Sequence, residues 1–141
     1  MAELDEITGA IVDESVRIHR ELGPGLLESV YQAVLARAIE KRGFAVARNC
    51  PVSFEFDGIV FHDGLRIDLL VDECVVVELK SIERLLPVHS KQLLTYLRLM
   101  HLPVGLLINF SGATLREGLH RVVNGLQPDH SSLLRINRHI S

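Results

Sequence analysis

The stretch RIDLLVDECVVVELKS, residues 66–81, most constrains what this chain can fold into. Two runs rich in β-branched and apolar residues are joined by a short acidic turn, so both read as central strands of a buried sheet. Each run nevertheless carries a carboxylate, Asp68 in the first and Glu78 in the second, and Lys80 follows Glu78 by two. Charge on a buried strand is costly unless it is paired or bound to a cation. Alternation places Val76, Glu78 and Lys80 on one face of the second strand, and Arg66, Asp68 and Leu70 on one face of the first. Whether the faces coincide depends on the turn, because a one-residue slip reverses every side chain. A two-residue turn at Asp72-Glu73 pairs Asp68 with Val77 and separates the carboxylates. A three-residue turn, Asp72 to Cys74, pairs Asp68 with Glu78. A shared site therefore requires the longer turn or a bulge.

Around this core the hydrophobic period changes several times. Residues 4–21 read as a helix through Leu4, Ile7, Ile11, Ser15 and Ile18, with acidic residues in the first turn. Gly23, Pro24 and Gly25 break it. Residues 26–42 read as a second helix with Leu27, Val30, Val34, Leu35, Ala38 and Ile39 as its apolar face, closed by Gly43. FAVARN and VSFEF alternate as half-buried strands, and Asp57-Gly58 signals a hairpin. Residues 88–101 return to helical spacing through Leu93, Leu94, Leu97 and Met100, and VGLLINF, 104–110, reads as a buried strand. LREGLHRVVN has helical spacing, but HRVV also suits an edge strand. The order α-α-β-β-β-β-α-β implies an α/β fold with a mixed sheet flanked by helices, residues 88–101 crossing between two parallel strands. A single domain over 1–126 and a C-terminal tail over 127–141 are expected.

The composition sets limits on function. At 141 residues with 48% hydrophobic content, the chain suits one domain with a real core. The net charge of −3 and pI of about 6.1 argue against a protein that coats nucleic acid in bulk. They are compatible with a local basic groove around an acidic metal site. MAELDEITGA has no apolar signal region, and no apolar run approaches the length of a membrane span. Two cysteines without ligand spacing, Cys50 and Cys74, fit a reducing, cytoplasmic setting without disulfides or structural zinc.

Two carboxylates and a lysine on one sheet face suit metal-assisted phosphoryl chemistry. Mg²⁺ takes hard oxygen ligands, usually one or two carboxylates, and keeps several waters. The plainer alternative is a strand-end ion pair between Glu78 and Lys80. Tyr31 and Tyr96 read as core residues with satisfied hydroxyls. His89 reads as a cap or surface residue, or as a group at the site mouth. Arg84, Lys91 and Arg98 read as separate surface charges, or as a strip facing phosphate.

Asp68 followed by Glu78-x-Lys80 resembles the active-site signature of the PD-(D/E)XK phosphodiesterase superfamily. Gly25-x-x-Glu28-x-x-Tyr31 resembles the motif of the GxxExxY family, small bacterial and archaeal proteins placed in that superfamily. HSKQLLTYLRL and GLLINF resemble that family's later blocks. The resemblance runs over roughly residues 8–124 and implies a restriction-endonuclease-like fold. By it, Asp68 and Glu78 bind Mg²⁺ or Mn²⁺, Glu28 is an additional acidic residue beside the metal, and Lys80 is the catalytic lysine. Gln92 is the polar residue that the following helix directs at the site. The expected activity is metal-dependent hydrolysis of DNA or RNA by a chain that pairs as a homodimer. The alternative is a non-catalytic module binding nucleic acid, a nucleotide or a protein.

Overall fold

The periodicities become three helices packed on a mixed sheet. The computed structural model describes residues 3–125, together with the backbone of 135–137. The elements are α1 (Leu4–Leu22), α2 (Glu28–Lys41), β1 (Val46–Phe56), β2 (Ile59–Val71), β3 (Val75–Lys80), α3 (Pro87–Met100), β4 (Val104–Asn109), β5 (Leu119–Val123) and β6 (Arg135–Asn137). The six strands lie in the order β5-β4-β3-β2-β1-β6. β3 and β4 are parallel and joined through α3, as the crossover reading requires. The other neighbours are antiparallel. The tail expected from residue 127 lies outside the described residues, apart from Arg135–Asn137, whose backbone pairs with β1.

The sheet is covered on both faces. α1 and α2 pack through Ile7, Ile11, Ile18, Leu35 and Ile39 onto Leu69, Val71, Val77, Leu79, Leu106 and Ile108. α3 packs through Leu93, Leu97 and Met100 onto Cys50, Ile67, Leu70, Val76 and Leu107. Each such large aliphatic side chain contributes about 1.5–3 kcal/mol when fully buried. Two-sided burial explains why β3 and β4 read as continuous apolar runs rather than alternating ones.

Three details differ from the sequence reading. FAVARN and VSFEF belong to one strand, β1, so three strands precede α3 rather than four. Left-handed Asn49 (φ 51°) and a register shift between Val52 and Phe54 interrupt its period and make one strand look like two. On α2, Leu27 and Val30 are exposed, while Tyr31, Gln32, Leu35, Ala36, Ala38 and Ile39 face inward. The helix begins at Glu28, so Leu27 is its N-terminal flank and Tyr31 sets the buried stripe. In LREGLHRVVN, the edge-strand alternative is the one realised: a short 3₁₀ turn at Arg116–Gly118 leads into β5. The two-residue loop at Asp57-Gly58 is a hairpin with both residues at positive φ, as the sequence signal anticipates.

Candidate functional site

The β2–β3 turn decides whether the carboxylates meet. The register pairs Val71 with Val75, Leu70 with Val76 and Leu69 with Val77, which makes the loop Asp72-Glu73-Cys74. This is the longer of the two turns, with Asp72 and Glu73 left-handed. It is anchored from outside: Asp72 N–H donates to the Ala45 carbonyl, and Ala45 N–H donates to Asp72 Oδ1, both at 2.8 Å. Beyond Leu69 and Val77 the backbone ladder stops, and side chains replace it. Asp68 N–H donates to Glu78 Oε1 at 3.0 Å, and Leu79 N–H donates to Asp68 Oδ2 at 2.7 Å. Each carboxylate is thus held by the backbone of the opposite strand where β2 and β3 part.

This closeness carries an electrostatic cost. Glu78 is only 8% exposed. Burial, then the charge of Asp68, pushes its carboxyl up to about 8, against the Asp68 amide and the Lys80 ammonium; Glu28 adds a further upward push. Asp68 is also raised, first by burial, while the Leu79 amide, Lys80 and a hydrogen bond with Glu78 oppose the shift. Glu28 is raised by desolvation and by Asp68, with Lys80 and the Ser81 amide opposing. The structure therefore brings Glu28, Asp68, Glu78 and Lys80 into one electrostatic group, with Lys80 the cation felt by all three acids.

Glu28 reaches this group because the loop before α2 is fastened from the core. The Tyr31 hydroxyl donates to the Gly23 carbonyl at 2.5 Å and accepts from Leu26 N–H at 3.2 Å. Its fully buried ring stacks on Phe110, centroids 4.5 Å apart. Ser81 Oγ, just past Lys80, donates to the Leu26 carbonyl at 3.2 Å. Gly23 and Gly25 supply the positive φ this tight path needs. Within Gly25-x-x-Glu28-x-x-Tyr31, the tyrosine is the anchor and the glutamate is the group it presents.

Other candidates fare differently. Tyr96 is half-buried on α3 and packs against the core on that side, as its core reading expects; desolvation, then the charges of Glu78 and Asp68, raise its phenol. Gln92 stands exposed one turn earlier, and among the described residues no hydrogen bond ties it to the carboxylates. His89 caps α3, its Nδ1 accepting from Leu86 N–H at 2.9 Å while its own N–H donates to the Leu86 carbonyl. Arg84, Lys91 and Arg98 are exposed and in no ion pair among the described residues.

Sequence reasoning passed over Asn109 and Gln32. Buried Asn109 accepts from Ile82 N–H at 3.1 Å and donates to the Ile82 carbonyl at 2.9 Å, fixing the segment that follows Lys80. Its signal was a polar residue ending the apolar run VGLLIN. Gln32 follows Glu28 by one helical turn and touches the strand carrying Asp68; that i, i+4 spacing was its only signal.

Asp68 and Glu78 are hard oxygen donors, drawn together although both resist ionisation there, which is the donor chemistry a divalent cation uses. Among the described residues, no three His, Cys, Asp or Glu side chains form a ready ligand cluster. No curated protein and no solved structure matches the chain. The family described as the PD-(D/E)XK nuclease superfamily matches residues 5–122, from the first turn of α1 into β5. The mixed sheet flanked by helices is consistent with the restriction-endonuclease-like fold. With the acidic pair on adjacent strands and the match spanning most of its length, the chain belongs to the PD-(D/E)XK nuclease superfamily.

Proposed function

We propose that this chain is a phosphodiesterase that hydrolyses DNA or RNA with Mg²⁺ or Mn²⁺ held by Asp68 and Glu78, and that it falls in the GxxExxY group of its superfamily. The observation that carries this reading is the exchange of backbone hydrogen bonds between the two carboxylates. It holds two acids together in a setting that raises both. Once ionised the two acids repel each other, and a divalent cation would reverse that repulsion. Nucleases of this superfamily generally use divalent metals.

A cation bound there supplies positive charge to a phosphoryl oxygen and acidifies a water. The chain's own groups do the rest. Lys80 orients the attacking water or supports the charge that builds on phosphate. Glu28 assists the pair from the start of α2. Gln92 and Tyr96, on one side of α3, contact the substrate or the water. Arg84, Lys91 and Arg98 bind the nucleic-acid backbone, which makes affinity salt-dependent. Pairing of two copies extends the small surface that one copy offers, and the cysteine usage suits a cytoplasmic setting.

The test is cleavage of labelled single- and double-stranded DNA and RNA with Mn²⁺, Mg²⁺ or EDTA, alongside Glu78→Ala and Lys80→Ala. Metal-dependent cutting lost in both folded variants supports the reading and names the substrate. Undiminished cutting by both variants refutes the site. No cutting, with no rise in melting temperature at millimolar Mn²⁺, favours a non-catalytic binding module.

A further inference from the structure

Asp68 sits at an inversion of the sheet. On β2, Leu65 and Ile67 pack towards α3, whereas Leu69 and Val71 pack towards α1 and α2. Residues two apart on a regular strand share a face, so the face changes between Ile67 and Leu69, at Asp68. β1 changes at the same level: Val46 packs on the α1/α2 side, and Cys50 and Val52 on the α3 side. The register between the strands holds across this point, with Arg48 opposite Leu69 and Cys50 opposite Ile67, but Asn49 and Asp68 themselves do not pair. Asn49 is left-handed, φ 51°. Two strands thus invert together without slipping, and the Asn49–Asp68 pair is missing from their register.

One side chain spans the inversion. Gln32 Nε2 donates to Asn49 Oδ1 at 3.0 Å and to the Asp68 carbonyl at 3.3 Å, while Gln32 Oε1 accepts from Arg48 Nη2 at 3.3 Å. Gln32 is buried, so these bonds form in a setting where unmade ones are costly. A primary amide offers two donors to the two acceptors and one acceptor to the arginine. Glutamate at this position would set an acceptor against both oxygens. Methionine, of similar shape, would leave them unmet.

We propose that Gln32 is the positioning residue of the site: by clamping Asn49 and the Asp68 carbonyl, it holds the inversion that turns the Asp68 carboxylate towards β3. The same helix then carries Glu28, which joins the acidic group, and Gln32, which aims it. The metal arm of the following test rests on the proposed phosphodiesterase reading; the exchange arm does not.

The test is amide hydrogen exchange on metal-free Gln32→Met and Asn49→Gly, with Mn²⁺ affinity measured by calorimetry. Glycine at 49 keeps the backbone conformation and removes the acceptor. Ile39→Val, two turns along α2 in the core, serves as a control for plain loss of stability. The expected result is that the Asp68 and Leu79 amides, whose bonds are the carboxylate exchange, lose protection at least tenfold in Gln32→Met and Asn49→Gly. Val76 and Val77 keep theirs, the control changes neither, and Mn²⁺ affinity falls about tenfold. Unchanged protection at Asp68 and Leu79, or equal loss over the whole of β3, overturns the clamp. If the wild-type protein itself fails to bind Mn²⁺, the exchange result still decides the clamp, and only the metal reading falls.

Discussion

Replacing Glu78 by glutamine should stabilise the metal-free protein at neutral and alkaline pH and remove its response to divalent cations. The folded-state pKa of Glu78, about 8, lies above its ordinary value of 4.5, so the folded protein holds this proton more tightly than the unfolded chain. Stability from this group is complete below about pH 4.5 and is lost as pH rises through about 8. At about 1.4 kcal/mol per pH unit, the wild type gives up about 3 kcal/mol between pH 4.5 and 7, and about 5 kcal/mol above pH 8. These are ceilings, because Asp68 shares the proton. The amide of Glu78→Gln keeps an oxygen for Asp68 N–H and never ionises. Urea unfolding in EDTA at pH 4.5, 6, 7 and 8.5 should show the two proteins alike at pH 4.5 and the variant ahead by up to about 3 kcal/mol at pH 7. Mn²⁺ at a hundred times its dissociation constant should then add about 2.7 kcal/mol to the wild type and little to the variant. Stability curves that run parallel from pH 4.5 to 8.5 would refute the buried acidic pair and the reasoning built on it.

Glu28→Gln removes one negative charge beside Asp68; Mn²⁺ titration should show a smaller loss of affinity than Glu78→Gln causes. Tyr31→Phe keeps the stack on Phe110 but gives up the bonds to Gly23 and Leu26. It should cost about 1 kcal/mol in denaturant unfolding and loosen residues 23–27 in hydrogen exchange. Gly118→Ala places a methyl 2.5 Å from the Asn109 carbonyl oxygen. Overpacking of this kind costs about 1–3 kcal/mol, so a lower melting temperature is expected, with weakened protection at Ile82, which Asn109 holds.

Much of this was legible because it depends on local pattern. α1, α3 and β4 announce themselves through period and composition, and their bounds lie within a residue or so of expectation. The Asp68 and Glu78-x-Lys80 signature could be read because carboxylates stand out in apolar strands. β1 was misread as two strands because its inversion at Asn49 breaks alternation, and that break depends on a contact with Gln32 from another element. Leu27 and Val30 were misplaced because the start of α2 is set by the Tyr31 hydroxyl fastening the preceding loop, a bond that periodicity does not carry.

The sequence by itself determined the kinds of element, their order and the groups available for chemistry, since helix and strand periods and charge are properties of neighbouring residues. Only the tertiary structure decided that the acids meet. The choice between a two- and a three-residue turn rests on Asp72 binding Ala45, 27 residues away in the chain. The turning of Asp68 towards Glu78 takes place where Gln32 bridges two strands from a helix. Both are hydrogen bonds between distant segments, formed once the core has brought those segments together.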